Sequence, residues 1–77
     1  MTKYEWTRQF ARRLAMLMSE CGYSQSDLAI ATGLSQATIS FYLNCQRTPK
    51  ITALLKLADA LGVDTRELID FGERIET

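Results

Sequence analysis

The residues best suited to chemistry in this chain are amides, hydroxyls and guanidinium groups, and they lie close together in sequence. Gln25 and Gln36 each follow a serine, in Ser24-Gln25 and Ser35-Gln36. A glutamine amide both donates and accepts, so it can make a matched pair of bonds to adenine N6 and N7. Ala37 and Phe41 offer apolar contact, for which a thymine methyl is a suitable partner, and Ser40 can bond to a base or a phosphate. Downstream, Asn44-Cys45-Gln46-Arg47-Thr48-Pro49-Lys50 adds two cations and several polar groups that can grip phosphate. This points to recognition of a nucleic acid rather than to bond-breaking.

Catalytic sets are hard to assemble. There is no histidine, so Cys21 and Cys45 have none to activate a thiolate. Two isolated cysteines form neither a zinc site nor a redox pair, and a Cys21–Cys45 disulfide is not expected in a cytosolic chain. Asp59, Asp64, Glu67 and Asp70 fall at helix surfaces and ends, where capping and solvation account for them. An enzyme is therefore not expected, and neither a metal, a cofactor nor a small-molecule ligand is implied.

The 77 residues suffice for one domain, without linker, repeat or low-complexity stretch. No apolar run approaches the roughly 18 residues of a membrane span, and MTKYEWTRQF contains no signal-peptide core. A cytoplasmic protein is expected. Net charge is zero, which by itself argues against a nucleic-acid partner, but its distribution argues for one. Up to Lys56 seven basic residues face three acidic ones; from Leu57 onward two basic residues face six acidic ones. One part is thus plus four and the other minus four, as suits a module with one face toward phosphate.

Five helices must position these groups. The first is expected over about Glu5–Cys21, with Trp6, Phe10, Leu14, Leu17 and Cys21 on one face and Arg8 and Arg12 solvated. The second covers about Gln25–Ala31 and the third Gln36–Leu43. Ser24 and Ser35 serve as N-caps, and Gly33 lies in the turn between them. Leu28 and Ala29, then Ile39, Tyr42 and Leu43, supply the inward faces. On the third helix Gln36, Ala37, Ser40 and Phe41 then point outward, and Phe41 is open to three roles: core, protein interface or base contact. The fourth helix is ITALLKLADAL, with Leu54, Leu57, Ala58 and Leu61 inward, and it closes at Gly62. Asp64 and Glu67 form a capping pattern for a short fifth helix containing Leu68, Ile69 and Phe71. Residues 72–77 are expected to fray.

The fold class is therefore all-α: one compact domain over residues 1–77, with a helix-turn-helix at about 25–44. Gly22-Tyr23-Ser24-Gln25, Leu28-Ala29, Gly33-Leu34-Ser35-Gln36, Thr38-Ile39-Ser40, Arg47-x-Pro49 and Leu61-Gly62-Val63 together resemble the lambda-repressor/Cro-like, or Xre-type, family. The resemblance runs from about Leu14 to Ile69. It implies a five-helix regulator of transcription, most often a repressor, that binds double-stranded DNA as a homodimer on a palindromic operator. By the same resemblance Gln36, Ala37, Ser40 and Phe41 face the bases and Gln25 touches phosphate. From their place in the chain, Asn44, Arg47 and Lys50 join Gln25 as phosphate contacts.

The chain departs from that pattern twice. Many relatives pair an arginine late in the first helix with a glutamate late in the third; Met18 and Leu43 occupy those positions here, so an apolar contact is expected instead. Cys45 stands where glycine often follows the third helix, so Asn44 is expected to take the left-handed conformation, or the helix to end differently. Phe71, Ile75, Ile30 and an edge of Trp6 are the candidate dimer surface. The competing reading is an antitoxin-like or accessory module that uses the same fold as a protein-binding platform, with Ile30 and Phe41 as its apolar contacts.

Overall fold

A computed structural model describes residues 2–70, and in these the chain forms five helices: α1 (Lys3–Cys21), α2 (Gln25–Thr32), α3 (Gln36–Leu43), α4 (Ile51–Leu61) and α5 (Arg66–Ile69). No strand occurs among the described residues. The expectations for Phe71, Ile75 and the tail at 72–77 fall outside them.

Every helix sends at least one fully buried side chain inward: Phe10 and Leu14 from α1, Leu28 from α2, Ile39 from α3, Leu57 from α4 and Leu68 from α5. Such a shared core holds short helices that would be marginal alone. Helix α1 packs on α3, α4 and α5, while α2 packs on α3 and α4. Phe10 is the hinge of this packing. Trp6 stacks on it at 5.6 Å between ring centroids, and Tyr42 of α3 meets it edge-on at 5.8 Å. The inner side of α3 is thereby fixed to the N-terminal half of α1.

The ends of the helices explain their lengths. Helix α1 begins at Lys3, two residues before the expected start, because Thr2 and Glu5 form a capping box. Ser24 and Asp27 form another at α2, where each side chain accepts the other residue's backbone N–H. Ser35 caps α3 by accepting the Thr38 N–H. In the turn between α2 and α3, Gly33 adopts φ 78°, a conformation that glycine holds without steric cost. Buried Thr32 reinforces that turn. Its hydroxyl donates to the Leu28 carbonyl at 2.8 Å and accepts the Leu34 N–H at 3.1 Å. Thr32 therefore belongs to α2, one residue beyond the expected end.

The buried face of α1 is broader than its periodicity suggests, since Thr7, Ala11 and Met18 are buried with Phe10, Leu14 and Leu17. Cys21, expected on that face, is exposed, although its thiol donates to the Leu61 carbonyl. Both cysteines are free thiols. Met18 joins the core, Leu43 packs against that core from α3, and both line one groove. Arg13 does not serve the basic face: its guanidinium donates to the Glu67 carbonyl at 2.8 Å and ties α5 to α1.

Candidate nucleic-acid interface

Helix α3 divides into two sides. Ile39 and Tyr42 are buried and Leu43 is half-buried, which leaves Gln36 and Ala37 exposed and Ser40 and Phe41 half-buried. The four predicted base-reading residues thus lie away from the buried side, with Gln36 and Ala37 at the open N-terminal turn. No side-chain bond restrains the Gln36 amide among the described residues, so both its donor and its acceptor are available.

Gln25 opens α2 and is half-buried. It lines one groove together with Leu43, Met18 and Tyr23, so the N-terminal turn of α2 stands beside the C-terminal end of α3. Asp27 in that same turn carries a negative charge. The Ser24 backbone N–H, and then its hydroxyl, hold the Asp27 carboxyl below the usual carboxylate range. The carboxylate is thereby committed to its cap.

The segment after α3 is built differently from its expected form. Asn44 has φ −96°, and Cys45 itself is left-handed at φ 60°. The Gln46 N–H bonds back to the Phe41 carbonyl at 2.8 Å and the Cys45 N–H to the Tyr42 carbonyl at 3.2 Å, so a residue with a Cβ occupies the usual glycine position of a Schellman turn. Asn44 avoids the strained conformation and contributes its side chain instead: Nδ2 donates to the Ser40 carbonyl at 2.9 Å and to Ser40 Oγ at 3.2 Å. Those bonds engage the amide protons that a phosphate contact needs.

Arg47 then folds back over α3. Its guanidinium carbon lies 4.6 Å from the centroid of the Phe41 ring, a cation–π contact that covers part of an otherwise open aromatic. Its charge also acts on Tyr42. Burial raises the Tyr42 phenol above its ordinary range, and the Arg47 charge opposes that rise. The next residue anchors the loop: the Thr48 and Thr7 hydroxyls lie 3.2 Å apart. Because the Thr7 proton goes to the Lys3 carbonyl at 2.9 Å, Thr48 is the donor between them. Pro49 is buried behind it, and Lys50 is exposed at the start of α4, where no side chain caps the free N–H groups. Thr7, Thr48 and the Arg47–Phe41 contact were not foreseen, and only the apolar neighbours of Thr7 hinted that it was buried.

Around this loop the surface is cationic. Lys3 and Arg47 line one groove, Arg8 and Arg12 line another, and Cys45 borders both; no carboxylate lines either. Arg8, Arg12 and Arg47 form no salt bridge among the described residues. Asp64 and Arg66, which do pair at 3.5 Å, belong to the acidic part near α5. There the Arg66 backbone N–H, assisted by its charge, lowers the Asp64 carboxyl below the usual range. No group of histidine, cysteine or carboxylate side chains suited to a metal occurs among the described residues, and no helix there is long and apolar enough to cross a membrane.

A family model described as a helix-turn-helix domain matches residues 9–71. The chain belongs to that family. Among solved structures, the restriction-modification controller protein C.AhdI from Aeromonas hydrophila is 35% identical, with a TM-score of 0.78, over 80% of this chain and 94% of that one. An HTH_3 family transcriptional regulator from Vibrio cholerae is 26% identical with a TM-score of 0.84; the alignment covers 90% of this chain but only 39% of that protein. The hypothetical transcription factor NHTF from Neisseria, at 23% identity, a TM-score of 0.80 and coverage of 90% and 80%, shares the fold. Comparison with curated proteins gives no match. The helix-turn-helix domain thus has the lambda-repressor-like fold of transcriptional regulators, with α2 and α3 as its two motif helices.

Proposed function

We propose that this helix-turn-helix protein is a sequence-specific regulator of transcription, acting as a repressor, that reads the major groove with α3. The observation that carries the proposal is the division of α3: Phe10, Ile39 and Tyr42 hold one side rigidly, and Gln36 and Ala37 are presented on the exposed side. Gln36 reads adenine, Ala37 and Phe41 meet thymine methyls, and Ser40 bonds to a base or phosphate. Gln25, Arg47 and Lys50 fix the register on the phosphates, while a contact by Asn44 requires its amide to leave Ser40. The protein works in the cytoplasm as a homodimer on a palindromic operator, with its two reading helices about 34 Å apart.

One observation favours the second reading, a protein-binding platform: Ile30 on α2 is 80% exposed. Such a platform needs no base preference. Selection of bound duplexes from a random DNA pool at two salt concentrations, with Gln36→Ala in parallel, separates the readings. A palindrome whose preference relaxes in Gln36→Ala is the expected result. Weak binding that enriches no sequence and vanishes at moderate salt contradicts base reading, because only counterion release then drives association.

A further inference from the structure

We propose that Arg47 determines specificity by positioning Phe41, so that the two side chains read DNA as one unit and Arg47 is more than a phosphate contact. The proposal rests on the reading of α3 as the base-contacting helix and adds a role to a residue so far assigned only to the backbone. The guanidinium lies 4.6 Å from the ring centroid, within the range of direct cation–π contact. The phenylalanine is half-buried on the side of α3 that lies away from the core, unlike the wholly buried Phe10. A partly exposed ring on a helix would otherwise exchange between rotamers. A guanidinium held over it by cation–π attraction restricts that exchange, and a lysine ammonium, a compact and strongly hydrated point charge, does so less well.

The backbone delivers Arg47 to this place. Left-handed Cys45 reverses the chain, the Gln46 N–H closes on the carbonyl of Phe41 itself, and Thr48 is held to Thr7 on α1. Both neighbours of Arg47 are therefore fastened, one to the residue whose ring it covers. A residue used only for phosphate could extend freely from the loop; this one is held over an aromatic side chain on the reading helix.

The test uses the duplex recovered by selection, with each thymine replaced in turn by deoxyuridine to remove only its methyl group. Binding is measured for the wild type, Arg47→Lys, Phe41→Ala and the double variant, with circular dichroism confirming that each is folded. At one thymine the wild type is expected to lose about fourfold in affinity, the worth of one buried methyl. Arg47→Lys keeps the charge and the salt dependence but loses that discrimination, and adding it to Phe41→Ala changes the discrimination no further. Full discrimination in Arg47→Lys overturns the proposal and leaves Arg47 as a phosphate contact. A wild type indifferent to every thymine methyl, yet selective for adenine through Gln36, overturns the proposal alone. Indifference to every base overturns the base-reading function as well.

Discussion

Cys45 carries the clearest conflict between a residue and its conformation. An L-residue held left-handed costs roughly 1–2 kcal/mol, and glycine avoids this while giving back part of the gain as unfolded-state entropy. Cys45→Gly is expected to stabilise the fold by up to about 1 kcal/mol, which in a domain this small raises Tm by roughly 4–8 °C. A thermal melt checks it, and an unchanged or lower Tm contradicts the strain argument. The strain was half legible in the sequence: the non-glycine cap was evident, but Asn44 was a plausible bearer of the positive φ. What assigns it to Cys45 is the backbone pattern, in which the Gln46 N–H returns to Phe41 and the Cys45 N–H to Tyr42 and the left-handed place falls on Cys45. The Arg47–Phe41 contact was illegible for the same reason, since six residues of separation bring the two together only once that turn is known.

At the scale of the elements, local chemistry accounts for most of the boundaries. Ser24, Ser35, Gly33 and Gly62 mark their helices in sequence because each satisfies or ends a backbone hydrogen-bond series nearby. Thr2, Thr7, Thr32 and Thr48 were less visible, because a threonine reads as surface until the carbonyl or hydroxyl that meets it is known. The capping boxes also predict a pH response. The Asp27 carboxyl is held below its usual range by Ser24, so its contribution to stability is complete above the unfolded-state value and is lost as pH falls through the lower, folded-state value. Thermal melts from pH 7 to pH 3 should therefore show Asp27→Asn less stable than the wild type at neutral pH and less sensitive to acid. Parallel loss of stability in both proteins contradicts this role for the cap.

Across the whole molecule, charge and packing are organised separately. The core draws on all five helices, whereas Lys3, Arg8, Arg12 and Arg47 lie around one loop and the carboxylates of residues 59–70 lie toward the other end of the sequence. Zero net charge therefore conceals a cationic surface beside α3. Such a surface gives affinity that falls with salt, while base contacts give preference that persists. The most direct test of the central claim is to replace the adenine read by Gln36 with 7-deazaadenine, which removes N7 and leaves the pairing edge intact. A complete bidentate contact is worth about 1–3 kcal/mol, so loss of one of its two bonds should weaken wild-type binding severalfold. Gln36→Ala should bind both duplexes equally. Equal sensitivity of the two proteins to the substitution, or none in the wild type at any adenine, would contradict base reading by α3.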